Sequence, residues 1–221
     1  MIEEDIHKLC KKYHIKNYTI NNDMSIDVDG NVSYLHNRNL TEIPLNFNRV
    51  KGDFDCSDNK LKSLKGAPNY VGVSFNCEHN ELTSLIGCPK IVKDTFICNN
   101  NNLVSLDYCP DKLNGHFFCN DNNIKTLKNG PKHVSLIYEA DNNNIRTFEG
   151  FIKVKYIFLN DNPIEELWYF FEDSNHIEYF NELDIIQENG DVIILDRLNY
   201  FLTDIGKKEI TENDIENYIV K

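Results

Sequence analysis

The chain has 221 residues, 35 acidic against 23 basic side chains, a formal net charge of −12 and a pI near 5.0. A field of that sign repels a phosphate backbone, so general nucleic-acid binding is not expected, whereas a protein partner with basic residues at its rim fits. Seven cysteines, an odd number without a CxxC pair, argue against both a disulfide framework and a zinc site.

The first element predicted is a helix over residues 2–12, where Ile2, Ile6, Leu9 and Cys10 recur at helical spacing. Glu3, Glu4 and Asp5 fall in its first turn, where carboxylates suit the helix dipole. No basic and apolar leader is visible, and no apolar run approaches the roughly 18 residues of a membrane span, so a cytoplasmic setting without a membrane partner is expected. Tyr18 to Ile20 and Ser25 to Val28 read as two strands around Asn21, Asn22 and Asp23, with Asp29 and Gly30 as a second turn. Residues 1–31 are therefore expected to form an N-terminal cap of helix plus hairpin. Asp23, Asp27 and Asp29 suggest a calcium loop, but the register puts Ser25 at its first position and His36 at its twelfth, so no metal is expected.

Residues 32–168 carry a repeat. Asn59, Asn80, Asn101, Asn122 and Asn143 are spaced by 21 residues and Asn162 follows after 19, each with an aliphatic residue two positions on. A fixed period of this length marks a solenoid, in which each repeat is one unit stacked on the next. Two positions apart on one strand stand Phe54 and Cys56, Phe75 and Cys77, Phe96 and Cys98, Phe117 and Cys119, Tyr138 and Ala140, and Ile157 and Leu159. Each such pair points to one side of its strand, a large residue beside a small one. The register makes Cys56, Cys77, Cys98 and Cys119 a buried ladder of small apolar side chains. The asparagines form a second ladder, because a carboxamide can satisfy both donors and acceptors where the backbone bends. Pro68, Pro89, Pro110 and Pro131 break the opposite segment, which is expected to be irregular, extended or single-turn 3₁₀, closed by Val71, Val92, Leu113 and Val134. An atypical first unit is visible at Leu35, Leu40 and Ile43, with Arg38 in place of the asparagine.

Beyond the solenoid, residues 169–221 read as a C-terminal α+β cap. Ile164, Leu167, Trp168 and Phe171 make an apolar helical face that runs into it, and residues 177–180 continue the helical character. Residues 185–195 look like a hairpin around Asn189 and Gly190. Leu198, Phe201, Leu202 and Ile205 share a helix face stopped by Gly206. Thr211 and Asp214 start a capping-box-like last helix holding Ile215, Tyr218 and Ile219.

The strand-loop stretch of the repeat resembles the leucine-rich-repeat pattern LxxLxLxxNxLxxL from its fourth position on, with Phe and Cys in place of the two strand leucines. The resemblance covers roughly residues 30–168 and implies an α/β solenoid with a parallel sheet on its concave face. The short period and the regular proline look most like the bacterial-effector subtype, but the tail matches no ubiquitin-ligase domain and has no cysteine. The opening around residues 15–30 and the closing around residues 192–202 resemble leucine-rich-repeat-like proteins of tailed bacteriophages and some giant viruses. That likeness implies a viral protein acting inside an infected cell and implies no activity.

No Walker loop, GxGxxG or metal-binding helix motif occurs, so no catalytic, cofactor or metal residues are assigned. Cys88 and Cys109 are the thiols least tied to the core, each just before a proline. The binding residues follow from the phase of the strands: if Phe75 and Cys77 point in, Ser74, Asn76 and Glu78 point out. The same rule brings Asp53 and Asp55, then Ile97, then Phe118, then Ile137 and Glu139, and last Tyr156 and Phe158 to one concave surface. Its apolar members would form a stripe of about 15 Å across four strands about 4.8 Å apart. Exposed aromatic stripes anchor partners, so a non-enzymatic protein-protein interaction module is expected. A structural component of a virus particle, or a small-molecule binder or enzyme using the C-terminal module, are the alternatives.

Overall fold

The computed structural model describes residues 1–34 and 39–221. Leu35, His36 and Arg38, which belong to the atypical first unit and the rejected calcium register, lie outside the described residues. The chain winds as a parallel β-solenoid with a short strand on each of two sides of a coil. One side is a seven-stranded parallel sheet that runs from Val32–Ser33 through Phe54–Asp55, Phe75–Asn76, Phe96–Ile97, Phe117–Phe118 and Ile137–Glu139 to Tyr156–Phe158.

In this sheet Phe54, Phe75, Phe96, Phe117 and Tyr138 stand in register and are fully buried, as are Cys56, Cys77, Cys98, Cys119 and Ala140. The rings stack coil on coil at centroid distances of 5.6, 5.3, 5.9 and 4.9 Å. Ring pairs of this kind contribute about 0.5–1.5 kcal/mol each beyond the area they bury. Cys56 Sγ donates to Asn76 O at 3.3 Å and Cys77 Sγ to Ile97 O at 3.4 Å, so the thiols also tie one coil to the next.

The other side takes the extended one of the forms expected for it, not the irregular or 3₁₀ ones: Tyr70–Val71 and Ile91–Val92 pair in parallel and extend a five-stranded sheet. That sheet continues through Phe47–Val50 to the N-terminal hairpin Tyr18–Ile20 and Ile26–Val28. Lys112–Leu113 and His133–Val134 pair separately. No 3₁₀ turn occurs among the described residues of the repeats. The buried prolines just before each segment lack the N–H that a helix running through them would need, and neighbouring coils supply partners for the backbone. The repeats themselves are therefore all β, and the α-helices stand at the two ends.

At one end the helix Glu3–Lys12 buries Ile6 and Cys10, with its acidic first turn outside. At the other, Glu165–Phe171, Ile177–Glu182 and Leu195–Asp204 gather Phe148, Phe171, Phe180 and Phe201 at ring distances of 5.2–5.6 Å. The hairpin around Asn189 and Gly190 is present as Ile186–Gln187 against Val192–Ile193. The last helix is not. Asp214 accepts from Thr211 N at 2.7 Å and Oγ1 at 2.8 Å, yet the turn Glu212–Asp214 stops after three residues. Ile219–Val220 instead joins Val192–Ile193 as a parallel strand, where β-branched side chains fit better than in a helix. No helix among the described residues is long and apolar enough to cross a membrane.

Candidate interaction face

The bend that ends each strand of the seven-stranded sheet is built from two adjacent residues. The first has a left-handed backbone: Asp58, His79, Asn100, Asp121, Asn142 and Asp161 all have φ between 51° and 54°. The second is the ladder asparagine, buried in every coil. Asn101 shows the pattern: its Nδ2 donates to Cys77 O, Cys98 O and Asn99 O at 3.0–3.2 Å, and its Oδ1 accepts from Leu82 N at 3.0 Å. Asn80, Asn122, Asn143 and Asn162 repeat it, and the acceptor half extends to Asn59, which takes Leu40 N. One carboxamide thus satisfies its own turn and the coil before it.

This scaffold fixes the phase of the side chains between. Asp55, Asn76, Ile97, Phe118, Glu139 and Phe158 lie in one row, each registered on its neighbour, and all point away from the core. Asp53, His116, Ile137 and Tyr156 flank this row on one side and Glu78 on the other. Tyr156 is 53% and Phe158 42% exposed, and the His116 and Phe118 rings stack at 5.4 Å with 10° between planes. All ten predicted binding residues therefore share this face. Two further residues the same phase places there, Ser57 and Thr95, are instead buried. Ser57 donates from N and Oγ to Asp55 Oδ1, and Thr95 Oγ1 accepts from His116 N.

Several polar members have a second duty that their spacing did not reveal. Asp53 Oδ1 accepts from Ser74 N at 3.0 Å, and Asn31 Oδ1 does the same for Asp53 N. Along the other flank Asn99 Oδ1 takes Asn120 N, Asn120 Oδ1 takes Asp141 N and Asp141 Oδ1 takes Asn160 N, at 2.7–2.9 Å. Short polar side chains at a 21-residue step signal such rails, because only an acceptor that reaches the next coil can close them.

The charge on the face is one-sided. Asp53, Asp55, Glu78, Glu139 and Asp141 are outward, and no Lys or Arg takes an outward position between Asp53 and Asn160. Among the described residues none of these five enters an ion pair. Lysines elsewhere do, for example Lys51 with Asp29 at 2.8 Å, Lys128 with Glu149 at 2.7 Å and Lys132 with Asp111 at 2.9 Å. Lys155 leans in at the C-terminal edge, its Nζ 5.2 Å from the Tyr156 ring centroid.

Two other features bear on chemistry. Burial pushes the Cys88 thiol up to about 12 and raises Cys56, Cys77, Cys98, Cys109 and Cys119 as well, which holds them away from the reactive thiolate form. Among the described residues no group of three or more His, Cys, Asp or Glu is placed to hold a metal ion. In the C-terminal module a cavity of about 580 Å³ opens between Thr147, Phe180, Ile185, Gln187 and Asn189. Its carboxylates are engaged, Asp184 with Arg197 at 2.9 Å and Glu188 with Lys221.

No family model matches the chain, and neither a curated protein nor a solved structure matches it.

Proposed function

We propose that the chain is a capped solenoid of leucine-rich-repeat type that binds a protein partner on the outward face of its seven-stranded sheet. The observation that carries this reading is the face itself: an apolar stripe of Ile97, Phe118, Ile137, Tyr156 and Phe158 beside five carboxylates without ion pairs among the described residues. Aromatic groups on a rigid sheet supply contact area at low entropic cost, and the carboxylates select a partner whose rim is basic. The role is non-enzymatic, and the likeness of both ends to phage and giant-virus proteins supports a viral protein that meets a host or viral partner in the cytoplasm. The concave layout and the caps at residues 1–31 and 169–221 belong to the same proposal.

The test is capture of a partner from infected-cell extract by wild-type protein and by the double variant Phe118→Asp, Phe158→Asp. The variant is expected to lose the partner while its circular dichroism melt stays near that of the wild type, since both side chains point out of the core. Undiminished capture by the folded variant would remove the face from consideration. The cavity at Phe180 and Gln187 favours a second reading, a small-molecule site in the C-terminal module, since its volume suits a small ligand. A thermal-shift screen with nucleotides and metal ions tests it, and a flat response across the screen counts against it.

A further inference from the structure

Resting on that reading of the face, we propose that its occupant is one extended polypeptide segment of polarised composition, with Lys or Arg toward one end and large apolar residues toward the other, laid across the strands. The central row gives the polarity. It begins with Asp55 and Asn76, and Ile97, Phe118 and Phe158 fill three of the four positions that follow. Asp53 and Glu78 reinforce the acidic end, while Ile137 and Tyr156 reinforce the apolar one. Glu139 stands between Phe118 and Phe158 and asks for one cation among the apolar anchors.

The direction follows from strand length. Each strand here is only two or three residues long, so a segment running along a strand meets one composition only. The change from acid to apolar exists only across strands. From Asp55 to Phe158 is five strand spacings, about 24 Å at about 4.8 Å each. An extended chain at about 3.3 Å per residue covers that with seven or eight residues. The step from Asp55 to Ile97 is two spacings, about 10 Å, so about three residues separate the cations from the first apolar anchor. On the flank, Asn99 and Asn120 spend their side-chain oxygens on backbone amides, while Asp141 adds a second carboxylate beside Glu139.

The experiment pans a phage-displayed library of random dodecapeptides on wild-type protein, then measures the enriched peptides by fluorescence anisotropy. Two variants are compared: Asp53→Asn, Asp55→Asn, Glu78→Gln and Phe118→Asp, Phe158→Asp. The first removes three charges but keeps the acceptor oxygens that Ser74, Ser57 and Asn76 use. The expected result is enrichment of peptides with Lys or Arg at one end and Leu, Ile, Phe or Tyr at the other. Their affinity should fall about five- to tenfold on the charge variant, as for a few exposed charge pairs, and vanish on the aromatic one. Peptides that bind the charge variant as tightly as wild type, yet fail on the aromatic variant, overturn the polarity and leave the face standing. No enrichment, or peptides indifferent to Phe118 and Phe158, overturns both. If the aspartate variant unfolds, Phe118→Ala, Phe158→Ala makes the same comparison.

Discussion

At the scale of single residues, stability in this chain depends on polar groups that have no water to turn to. Asn101 is the clearest case, since it is buried and its carboxamide serves three carbonyls and one amide. Asn101→Ala strands Leu82 N–H and weakens those carbonyls. The expected loss is about 3 kcal/mol, built from about 1–3 kcal/mol for each buried group left unmatched. For a chain of this size that lowers the thermal midpoint by roughly 10 °C, which calorimetry would read. A fall of only a degree or two would show that solvent reaches the bend. Tyr138 makes the opposite case. Its hydroxyl is buried and has no hydrogen-bond partner among the described residues, in a column otherwise filled by Phe54, Phe75, Phe96 and Phe117. Tyr138→Phe keeps the ring contact with Phe117 and removes a desolvated hydroxyl, so it should stabilise by about 1 kcal/mol. A destabilised variant in urea titration would mean that the hydroxyl has a partner in solution.

At the scale of the coil, two bends carry left-handed residues. One is the column from Asp58 to Asp161 before the ladder asparagines; the other holds Gly66, Gly87, Tyr108, Asn129 and Gly150, again 21 residues apart. Glycine adopts this conformation freely and asparagine at small cost, but a tyrosine in it gives up about 1–2 kcal/mol. Tyr108 has φ of 73° and is mostly exposed, so its side chain returns little. Tyr108→Gly is therefore expected to raise stability by about 1 kcal/mol, despite the more flexible unfolded chain, as a shift of the urea midpoint at constant slope. No shift would place the ring in contacts that offset the strain. The asparagine register and the Phe and Cys phase were legible in sequence because side-chain chemistry repeats there. The left-handed column was equally present as Asp, His or Asn before each ladder asparagine, but it is a backbone property and is visible only once that residue class is read as one signal. The second ladder of strands was not legible, since two-residue strands such as Tyr70–Val71 show no alternation. Asp53 read as free surface charge because its hydrogen bond to the next coil depends on the coil spacing, which a single repeat does not contain.

At the scale of the whole molecule, the columns join every coil to its neighbours, and the thiols give that coupling a pH signature. Cys56, Cys77, Cys98 and Cys119 run through the core, and Cys88 and Cys109 pack against it. Burial raises all six, Cys88 to about 12, against about 8.5 for an unfolded thiol. The sign follows from proton counts. Between the unfolded and folded values the unfolded chain has lost thiol protons that the folded chain keeps, so stability falls as pH rises. The contribution is whole below about pH 8 and drains away above it, at up to about 1.4 kcal/mol per pH unit for each thiol fully ionised only in the unfolded state. Tyr34 and Tyr138, raised by the same burial, add to the slope above about pH 10. The urea midpoint is therefore expected to hold steady from pH 7 to 8 and to drop steeply between pH 9 and 10.5. Cys98→Ala should be weaker at pH 7 because it leaves a small cavity, yet show a shallower decline, one thiol fewer in the slope. Equal slopes for the two proteins would mean that Cys98 ionises in the folded state, and would open the ladder to solvent.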